Sequence, residues 1–313
     1  MPDSILVTAR LPAGALEILR DAGQVRLAEG PLDVDALREQ ARGSSAIVCL
    51  LTDRIDATVL DAAGPSLRIV ANVAVGFDNV DIEAARARGV VVTNTPGVLT
   101  EAVAQFTWAL LLAVTRRVAE GDRLVRRGAW MGWALDLLPG MELTGKLLGI
   151  VGAGRIGRAV AAKAQAFGMR VVFATRSARD HVDGHRVISL DELLVSADVV
   201  SLHLPLRPDT RHLINRRTLA RMRRSAFLIN TSRGALVDEE ALIWALEERL
   251  IAGAALDVYE TEPAVPRGLV AIAHTVLAPH IGSATRETRA AMAELAARNV
   301  AAVLQGQPPV TPV

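Results

Sequence analysis

The sequence predicts an α/β fold of two domains, each built on a parallel sheet, and three observations support this prediction. Short apolar runs alternate with helix-like stretches along the whole chain, which is the βαβ rhythm of a doubly wound sheet. The length of 313 residues suits two domains rather than one. A hydrophobic content of 51% supplies enough apolar side chains for two cores.

The first third of the chain is expected to form the first sheet. Its predicted strands are Ile5–Thr8, Ala46–Leu51, Ile69–Val73 and Val90–Thr93, with helices near 13–22, 34–40 and 82–88 between them. A single long helix with a wide apolar face is predicted over Thr100–Arg117.

A second series of strands is predicted from residue 147 onward. It comprises Leu147–Val151, Arg170–Ala174, Asp198–His203, Ala226–Asn230, Gly253–Leu256 and Thr275–Leu277. Helices are predicted over 156–167, 239–249 and 285–304. His203 is expected on the surface or lining a crevice, at the end of its strand.

Composition and charge exclude several classes of function. A net charge of +1 gives no general attraction for nucleic acid or an anionic membrane, and no run of apolar residues is long enough to span a bilayer. Cys49 is the single cysteine, so no internal disulfide can form. Together with an N-terminus that lacks the pattern of a signal peptide, this predicts a cytoplasmic protein. No metal site is expected, since Gly184 between His181 and His185 indicates a loop.

A glycine-rich loop follows the strand that ends at Val151. It reads Gly152-Ala-Gly154-Arg-Ile-Gly157 and leads directly into a predicted helix. In this context Gly152 makes the tight turn, Gly154 lets the backbone approach a pyrophosphate, and Gly157 allows close helix packing. The N–H groups at the start of the helix add a partial positive charge. The loop therefore predicts a dinucleotide site of the Rossmann type.

The strand after this loop indicates which dinucleotide is bound. NAD sites place Asp or Glu at the end of that strand for the ribose hydroxyls, whereas this chain has Thr175, Arg176 and Ser177 there. An arginine with two hydroxyls suits the 2′-phosphate of NADP(H). NAD(H) stays possible, because all basic residues except Lys146 and Lys163 are arginines and an Arg at this position is only weakly informative.

Three segments that each follow a predicted strand carry candidate catalytic residues. They are Asn230-Thr-Ser-Arg233-Gly234, Leu256-Asp257-Val-Tyr-Glu260-Thr-Glu262-Pro263 and Ala278-Pro279-His280-Ile-Gly282-Ser283. Open α/β sheets place their ligands at the carboxyl ends of strands. An Arg that grips a carboxylate, a His that donates a proton and a Glu that keeps the His protonated would suit reduction of a keto acid.

These segments resemble the D-isomer-specific 2-hydroxyacid dehydrogenase family, and within it the glyoxylate/hydroxypyruvate reductases. The resemblance runs over essentially the whole chain and includes Asn72-Val-Ala-Val75-Gly76-Phe-Asp78-Asn79 and Thr93-Asn-Thr-Pro96-Gly-Val-Leu-Thr100. It implies NADP(H)-dependent reduction of a small 2-keto acid to the D-2-hydroxy acid. Arg233, Glu262 and His280 match the family's catalytic residues. The segment from Trp130 to Met141, with Leu137 within it, matches the family's specificity segment.

The resemblance also implies binding residues and an organisation for the chain. Val75 and Gly76, together with Arg233, match the substrate-binding residues. The cofactor contacts matched by the family pattern are Thr100, Arg155, Ile156, Pro205, Thr231, Asp257, His280 and Ser283. Residues 1–98, completed by the C-terminal helix 285–313, are expected to form the substrate domain, and residues 99–284 the dinucleotide-binding domain. Two Rossmann-like or flavodoxin-like domains would then flank a cofactor cleft, in a homodimer.

Two other functions are compatible with the same pattern. One is an NAD-using enzyme similar to D-3-phosphoglycerate dehydrogenase, which often carries a regulatory domain beyond the point where this chain ends. The other, from a different class, is a nucleotide-sensing protein similar to a corepressor. Turnover of a keto acid would separate the enzymes from the binding protein.

Overall fold

The structure, a computed structural model, describes residues 2–28, 30, 32–176 and 180–313. The chain divides into two compact units, one of Met1–Leu99 with Ser283–Val313 and the other of Thr100–Gly282. Ser177, one of the predicted cofactor residues, lies outside the described residues.

The strands are short and mostly buried. They are β1 (Ser4–Val7), β2 (Gln24–Leu27), β3 (Ala46–Cys49), β4 (Ile69–Asn72), β5 (Val91–Thr93), β6 (Leu147–Val151), β7 (Arg170–Ala174), β8 (His181–Val182), β9 (His185–Val187), β10 (Val199–Leu202), β11 (Phe227–Asn230), β12 (Gly253–Leu256) and β13 (Thr275–Leu277).

Helices occupy most of the connections between these strands. They are α1 (Ala13–Ala22), α2 (Val34–Ala41), α3 (Ala57–Ala63), α4 (Ile82–Ala87), α5 (Thr100–Thr115), α6 (Val118–Arg126), α7 (Arg155–Ala164), α8 (Leu190–Ser196), α9 (Arg216–Leu219), α10 (Glu239–Glu247), α11 (Arg267–Ala271) and α12 (Arg286–Leu304), with 3₁₀ turns at Gln165–Phe167 and Gly234–Leu236.

The first unit is built on a parallel sheet in the order β2-β1-β3-β4-β5. This is the order of a flavodoxin-like fold, in which the connections reverse direction between β1 and β3. α12 returns to this sheet from the end of the chain and packs on α1, β3 and β4. The unit is therefore completed by a segment far away in sequence.

The second unit contains the larger sheet, in the order β13-β12-β11-β10-β6-β7-β9-β8. Its neighbouring strands run parallel except for the β8–β9 hairpin. The chain starts in the middle at β6, moves out to β7, and then crosses back to β10. This reversal creates the switch point at which Rossmann folds bind their ligand. The predicted α/β class with two parallel sheets is confirmed.

Local differences from the predicted elements have identifiable causes. The helix predicted over Thr100–Arg117 is wrong at its end: Arg117 adopts a left-handed φ of 55° and separates α5 from α6. β2 was not predicted, because its side chains are only partly buried and show weak alternation. The placement of His203 on the surface is also wrong. Its ring is buried, and burial lowers the pKa of His203 to about 3.

No helix in the described ranges combines the length and the apolar composition needed to cross a lipid bilayer.

Candidate functional site

The glycine loop after β6 lies at the switch point of the larger sheet. The His203 N–H, just beyond β10, donates to the Val151 carbonyl at 2.8 Å, so the two strand ends are held together. Gly152 has φ +105°, and a Cβ there would lie 2.2 Å from the His203 carbonyl oxygen. A side chain is therefore excluded at Gly152 by both conformation and space.

The other two glycines of the loop differ from each other. A Cβ on Gly157 would lie 2.2 Å from the Gly152 carbonyl oxygen, so Gly157 is needed for packing of α7 against the loop. A Cβ on Gly154 would meet no described atom within 4 Å. Gly154 is also the N-cap of α7, where backbone N–H groups are available to an anion. The open space at Gly154 leaves room for a pyrophosphate, and the contact between Gly154 and a pyrophosphate stays a prediction.

Two of the predicted ribose-binding residues follow β7 directly and are more exposed than most of the strand. Thr175 is half-buried and Arg176 is exposed. The Arg176 guanidinium forms an ion pair with the Asp209 carboxylate, on the loop after β10. Because both side chains are largely exposed, this pair is weak and a stronger anion can displace the carboxylate.

Arg233 projects from a turn that its neighbours hold in shape. The Asn230 side chain donates to the Arg233 carbonyl at 2.8 Å and accepts from the Ser232 N–H at 3.1 Å. The Arg233 guanidinium donates to the Ser232 carbonyl at 2.8 Å. Asn230 is itself buried at the end of β11, so the turn is anchored to the sheet.

His280 and Glu262 form a hydrogen-bonded pair. His280 Nδ1 lies 2.7 Å from Glu262 Oε2, and the Tyr259 N–H donates to Glu262 Oε1 at 3.0 Å. Burial disfavours the charged carboxylate, but the hydrogen bonds from His280 and Tyr259 outweigh it and hold the pKa of Glu262 below its ordinary value. Since an ionised carboxylate only accepts, Nδ1 carries a hydrogen and Nε2 is left as the nitrogen that can donate to a substrate.

The positive charge of Arg233 also lowers the pKa of Glu262. The structure therefore brings the three predicted catalytic residues into one electrostatic neighbourhood, at the adjacent ends of β11, β12 and β13. This arrangement can bind an anion, orient an imidazole and deliver a proton.

Asp257 holds the segment that carries His280. Its carboxylate accepts the N–H groups of Ile281 and Gly282 at 2.8 and 2.7 Å, and its carbonyl accepts the His280 N–H at 2.9 Å. Asp257 is buried with 1% of its surface exposed. The cofactor contact implied for Asp257 by the family pattern stays a prediction, and that pattern gave no sign that both carboxylate oxygens bind backbone N–H groups.

The other predicted cofactor residues fall on several elements. Thr100 and Arg155 are the first residues of α5 and α7, and Ile156 follows Arg155 in half-buried surroundings. Pro205 is exposed, and its carbonyl accepts the Thr210 hydroxyl at 2.9 Å. The Thr231 hydroxyl lies 2.9 Å from that of Thr107 on α5, while Ser283 is half-buried in the other unit.

The predicted substrate-binding loop, Val75 and Gly76, lies in the first unit beyond β4. The Asn94 side chain donates to the Val75 carbonyl at 2.7 Å, and the Asn72 side chain donates to the Gly76 carbonyl at 2.9 Å. The Val75 carbonyl and the Gly76 N–H belong to one planar peptide, so Asn94 fixes the direction of that N–H.

Sequence reasoning did not assign roles to Asn72, Asn79 and Asn94. Asn79 donates to the carbonyls of Leu50 and Asp53 at 3.0 and 2.9 Å, which ties the loop after β3 to the loop after β4. The available signal was the position of Asn72 and Asn94 at strand ends, where an amide can bridge neighbouring loops.

Within the described parts of the chain, no group of three His, Cys, Asp or Glu side chains is placed to hold a metal ion. His181 and His185 lie on β8 and β9, joined by a turn at Gly184.

Comparisons with known proteins find a matching family and relatives similar over nearly the whole chain. Residues 108–282 match the family model described as D-isomer specific 2-hydroxyacid dehydrogenase, NAD binding domain. The chain is 49% identical to the glyoxylate reductase of Aeropyrum pernix over 315 aligned residues, covering 97% of this chain and 94% of that protein. It is 45% identical to the glyoxylate reductase of Thermococcus onnurineus, covering 99% of this chain and 96% of that protein.

Solved structures are similar over the same extent. The TT0316 protein from Thermus thermophilus has a TM-score of 0.94 and 50% identity, with 99% of each chain covered. The NADPH-dependent glyoxylate/hydroxypyruvate reductase of Sinorhizobium meliloti, solved in complex with NADP and malonate, has a TM-score of 0.90 and 36% identity, covering 99% of this chain and 96% of that chain.

The glycine loop yields a test that separates binding from folding. Gly154→Ala places a methyl group in open space, so we expect the melting temperature to stay within about 2 °C of wild type, while NADPH binding weakens about tenfold or more. Gly157→Ala should instead lower the melting temperature, because its methyl group collides with the Gly152 carbonyl. Thermal unfolding and NADPH fluorescence titration measure both. Unchanged NADPH affinity in Gly154→Ala would place the pyrophosphate elsewhere.

Proposed function

The chain belongs to the D-isomer specific 2-hydroxyacid dehydrogenase family, and we propose that it reduces glyoxylate and hydroxypyruvate to D-2-hydroxy acids with NADPH. The observation that carries the proposal is the His280–Glu262 hydrogen bond of 2.7 Å at the sheet edge that also carries Arg233. The glyoxylate reductases that are 43–49% identical over nearly the whole chain support the choice of substrate.

In this proposal the substrate carboxylate is bound by cationic and backbone donors. Arg233 offers a planar guanidinium that can form paired hydrogen bonds to a carboxylate and polarise the neighbouring carbonyl. The N–H groups of Val75 and Gly76 are proposed as further donors to the substrate. Residues 1–98 with 285–313 would thus supply substrate contacts, and residues 99–284 would hold the dinucleotide.

A nicotinamide dinucleotide supplies the hydride when it is bound, and the chain supplies the proton. Protonated His280 donates from Nε2 to the alkoxide that forms on the keto carbon. Glu262 accepts from Nδ1 throughout, which keeps the ring oriented and stabilises its positive charge. Oxidation of the hydroxy acid uses the same groups in reverse, with His280 accepting the proton.

Replacement of the proposed proton donor tests this function. Wild-type protein should oxidise NADPH in the presence of glyoxylate or hydroxypyruvate, with kcat/KM at least tenfold above that for phenylpyruvate. His280→Ala should lower kcat by about 10²–10⁴ while NADPH binding survives. Glu262→Gln should move the alkaline limit of reduction to lower pH, because the carboxylate that binds the His280 ring at 2.7 Å loses its negative charge.

His181→Ala is the matched control, since His181 is exposed on β8 in the same unit. It should show wild-type kcat. Full activity of His280→Ala would remove His280 from the mechanism, and an absence of turnover in the wild type with every keto acid would contradict the proposed activity itself.

The preference for NADPH over NADH is a separate part of the proposal. It is supported by Arg176 at the end of β7, where an NAD site would have an acid. In the free protein Arg176 is paired with Asp209. A 2′-phosphate carries more negative charge than a carboxylate, and it can accept two hydrogen bonds from one guanidinium. It would therefore displace Asp209 from Arg176.

Variants at these two positions should change NADPH affinity in opposite directions. Arg176→Ala removes a charge-assisted contact of about 1.5–3 kcal/mol and should weaken NADPH roughly 10- to 150-fold, with little change for NADH. Asp209→Asn should strengthen NADPH binding, because the competing carboxylate is gone. Fluorescence titration with both cofactors measures these constants. Equal weakening of NADPH and NADH in Arg176→Ala would identify Arg176 as an ordinary surface residue.

We also propose that the protein is a cytoplasmic homodimer without nucleic-acid or membrane partners. The segment from Trp130 to Met141 exposes several large apolar side chains, among them Met131 at 96%, Leu135 at 87% and Trp133 at 81%. Apolar side chains this exposed are typical of a surface that a partner covers. Light scattering should give twice the mass of the chain, and replacing Met131 and Leu135 by Ser should shift it toward the monomer. A monomeric wild type would contradict the proposal.

A further inference from the structure

A second group of polar side chains lies next to the Glu262 loop, and the proposed mechanism does not use it. Glu239 is the first residue of α10, and its side chain is buried. Its Oε1 accepts the backbone N–H of Glu260 at 2.9 Å. Glu260 stands between Tyr259, whose N–H binds Glu262, and Glu262 itself, so Glu239 holds the middle of that loop.

The Glu260 side chain is bound from another direction. His212 Nε2 lies 3.0 Å from Glu260 Oε1, and the Arg211 guanidinium forms an ion pair with the same oxygen. The His212 N–H also donates to the Ala235 carbonyl at 2.8 Å, in the 3₁₀ turn directly after Arg233. Glu260 is therefore the acidic partner of His212.

The turn after Arg233 is packed tightly against the same loop. A Cβ on Gly234 would lie 1.9 Å from the Tyr259 carbonyl carbon and 2.3 Å from the Glu260 nitrogen. The segments that carry Arg233 and Glu262 are therefore in direct backbone contact, and Glu239 fastens the second of them to α10. A shift of this loop would move Glu262 relative to His280.

The charges around Glu239 are predominantly negative. Burial raises the pKa of Glu239 above its ordinary value, and the negative charges of Glu260 and Glu262 add to this, partly offset by the Glu260 N–H and by His212.

We propose that Glu239 is a positioning residue of the active site, which holds the Glu262 loop in place for His280 through its hydrogen bond to the Glu260 N–H. This proposal rests on the role of His280 as proton donor in the proposed function. The hydrogen bond supplies the positioning, because it fixes the backbone between Tyr259 and Glu262, and Glu262 in turn binds the His280 ring.

A simpler role for Glu239 is that of an acidic residue in the first turn of a helix, where it interacts favourably with the helix dipole. Glu240 has the same chemistry and lies in the same turn, but it is exposed. Glu240→Gln is therefore a matched control that alters the helix terminus without touching the loop.

The first test measures hydrogen exchange of the Glu260 N–H by NMR, which reports on the loop without any turnover. In Glu239→Ala this N–H loses its acceptor, so its exchange should become at least about tenfold faster. In Glu239→Gln the amide oxygen still accepts the N–H, and Glu240→Gln does not touch it, so both should stay within about threefold of wild type. Equal exchange in Glu239→Ala and wild type would overturn the positioning role, whether or not the protein reduces glyoxylate.

Kinetics with glyoxylate and NADPH test the effect on catalysis. Glu239→Gln, which keeps the hydrogen bond to the loop, should keep kcat within about twofold of wild type. Glu239→Ala, which loses this hydrogen bond, should lower kcat about tenfold with little change in NADPH affinity. Wild-type kcat in a folded Glu239→Ala would overturn the positioning role. If Glu239→Ala does not fold, a kcat loss in Glu239→Gln equal to that expected for Ala would overturn it instead. An inactive wild type in which Glu239→Ala still speeds exchange of the Glu260 N–H would contradict the proposed function and not this inference.

Discussion

His280 adopts a left-handed backbone conformation with φ +54°, which a residue with a side chain rarely occupies, and the buried Asp257 carboxylate stabilises the segment in that shape. The left-handed region costs a non-glycine residue about 1–2 kcal/mol. Two N–H groups of the following residues, held at 2.8 and 2.7 Å, compensate for this cost. Gly282 allows the close approach, since a Cβ there would lie 3.0 Å from Asp257 Oδ2.

The parallel sheet brings the constrained His280 segment close to the other residues of the site. β11, β12 and β13 are neighbours, and because they run parallel their carboxyl ends meet at one edge. Arg233, Glu262 and His280 come shortly after these ends, so the sheet brings together residues that are up to 47 positions apart in the sequence. Asp257 begins the middle segment and binds the outer one. The site is thus assembled by backbone contacts between successive strand–loop segments, and Glu239 adds another such contact.

Much of the fold and of the candidate site could be predicted from the sequence, because each strand–loop motif contains the residues that its own local conformation requires. The βαβ rhythm gave the fold class, and the glycine loop was placed correctly after a buried strand because its residues carry the conformational requirement themselves. The break at Arg117 could not be predicted, since an arginine carries no signal for a left-handed conformation.

The side-chain contacts of Glu239 and Arg176 could not be predicted either, because their partners are far away in sequence. Glu239 binds Glu260 across 21 residues, and Arg176 binds Asp209 across 33, so neither pairing follows from local spacing. Helix-start acids such as Glu239 and Glu240 look alike in sequence, and only the packing of α10 against the 259–262 loop distinguishes them. The surface position expected for His203 was wrong for the same reason: a histidine at a strand end is usually exposed, and here the residue is buried where the glycine loop after β6 packs against it.

We expect the Asp257 carboxylate to position His280 for proton transfer, and the kinetics of Asp257→Asn with glyoxylate and NADPH measure this role. Asparagine has nearly the same shape, but it offers one acceptor and one donor to two N–H groups, so one of the two hydrogen bonds is lost and a repulsion replaces it. The variant should fold, with kcat at least about tenfold lower and NADPH affinity within about threefold of wild type. Wild-type kcat, or a loss confined to NADPH binding, would show that Asp257 does not position His280.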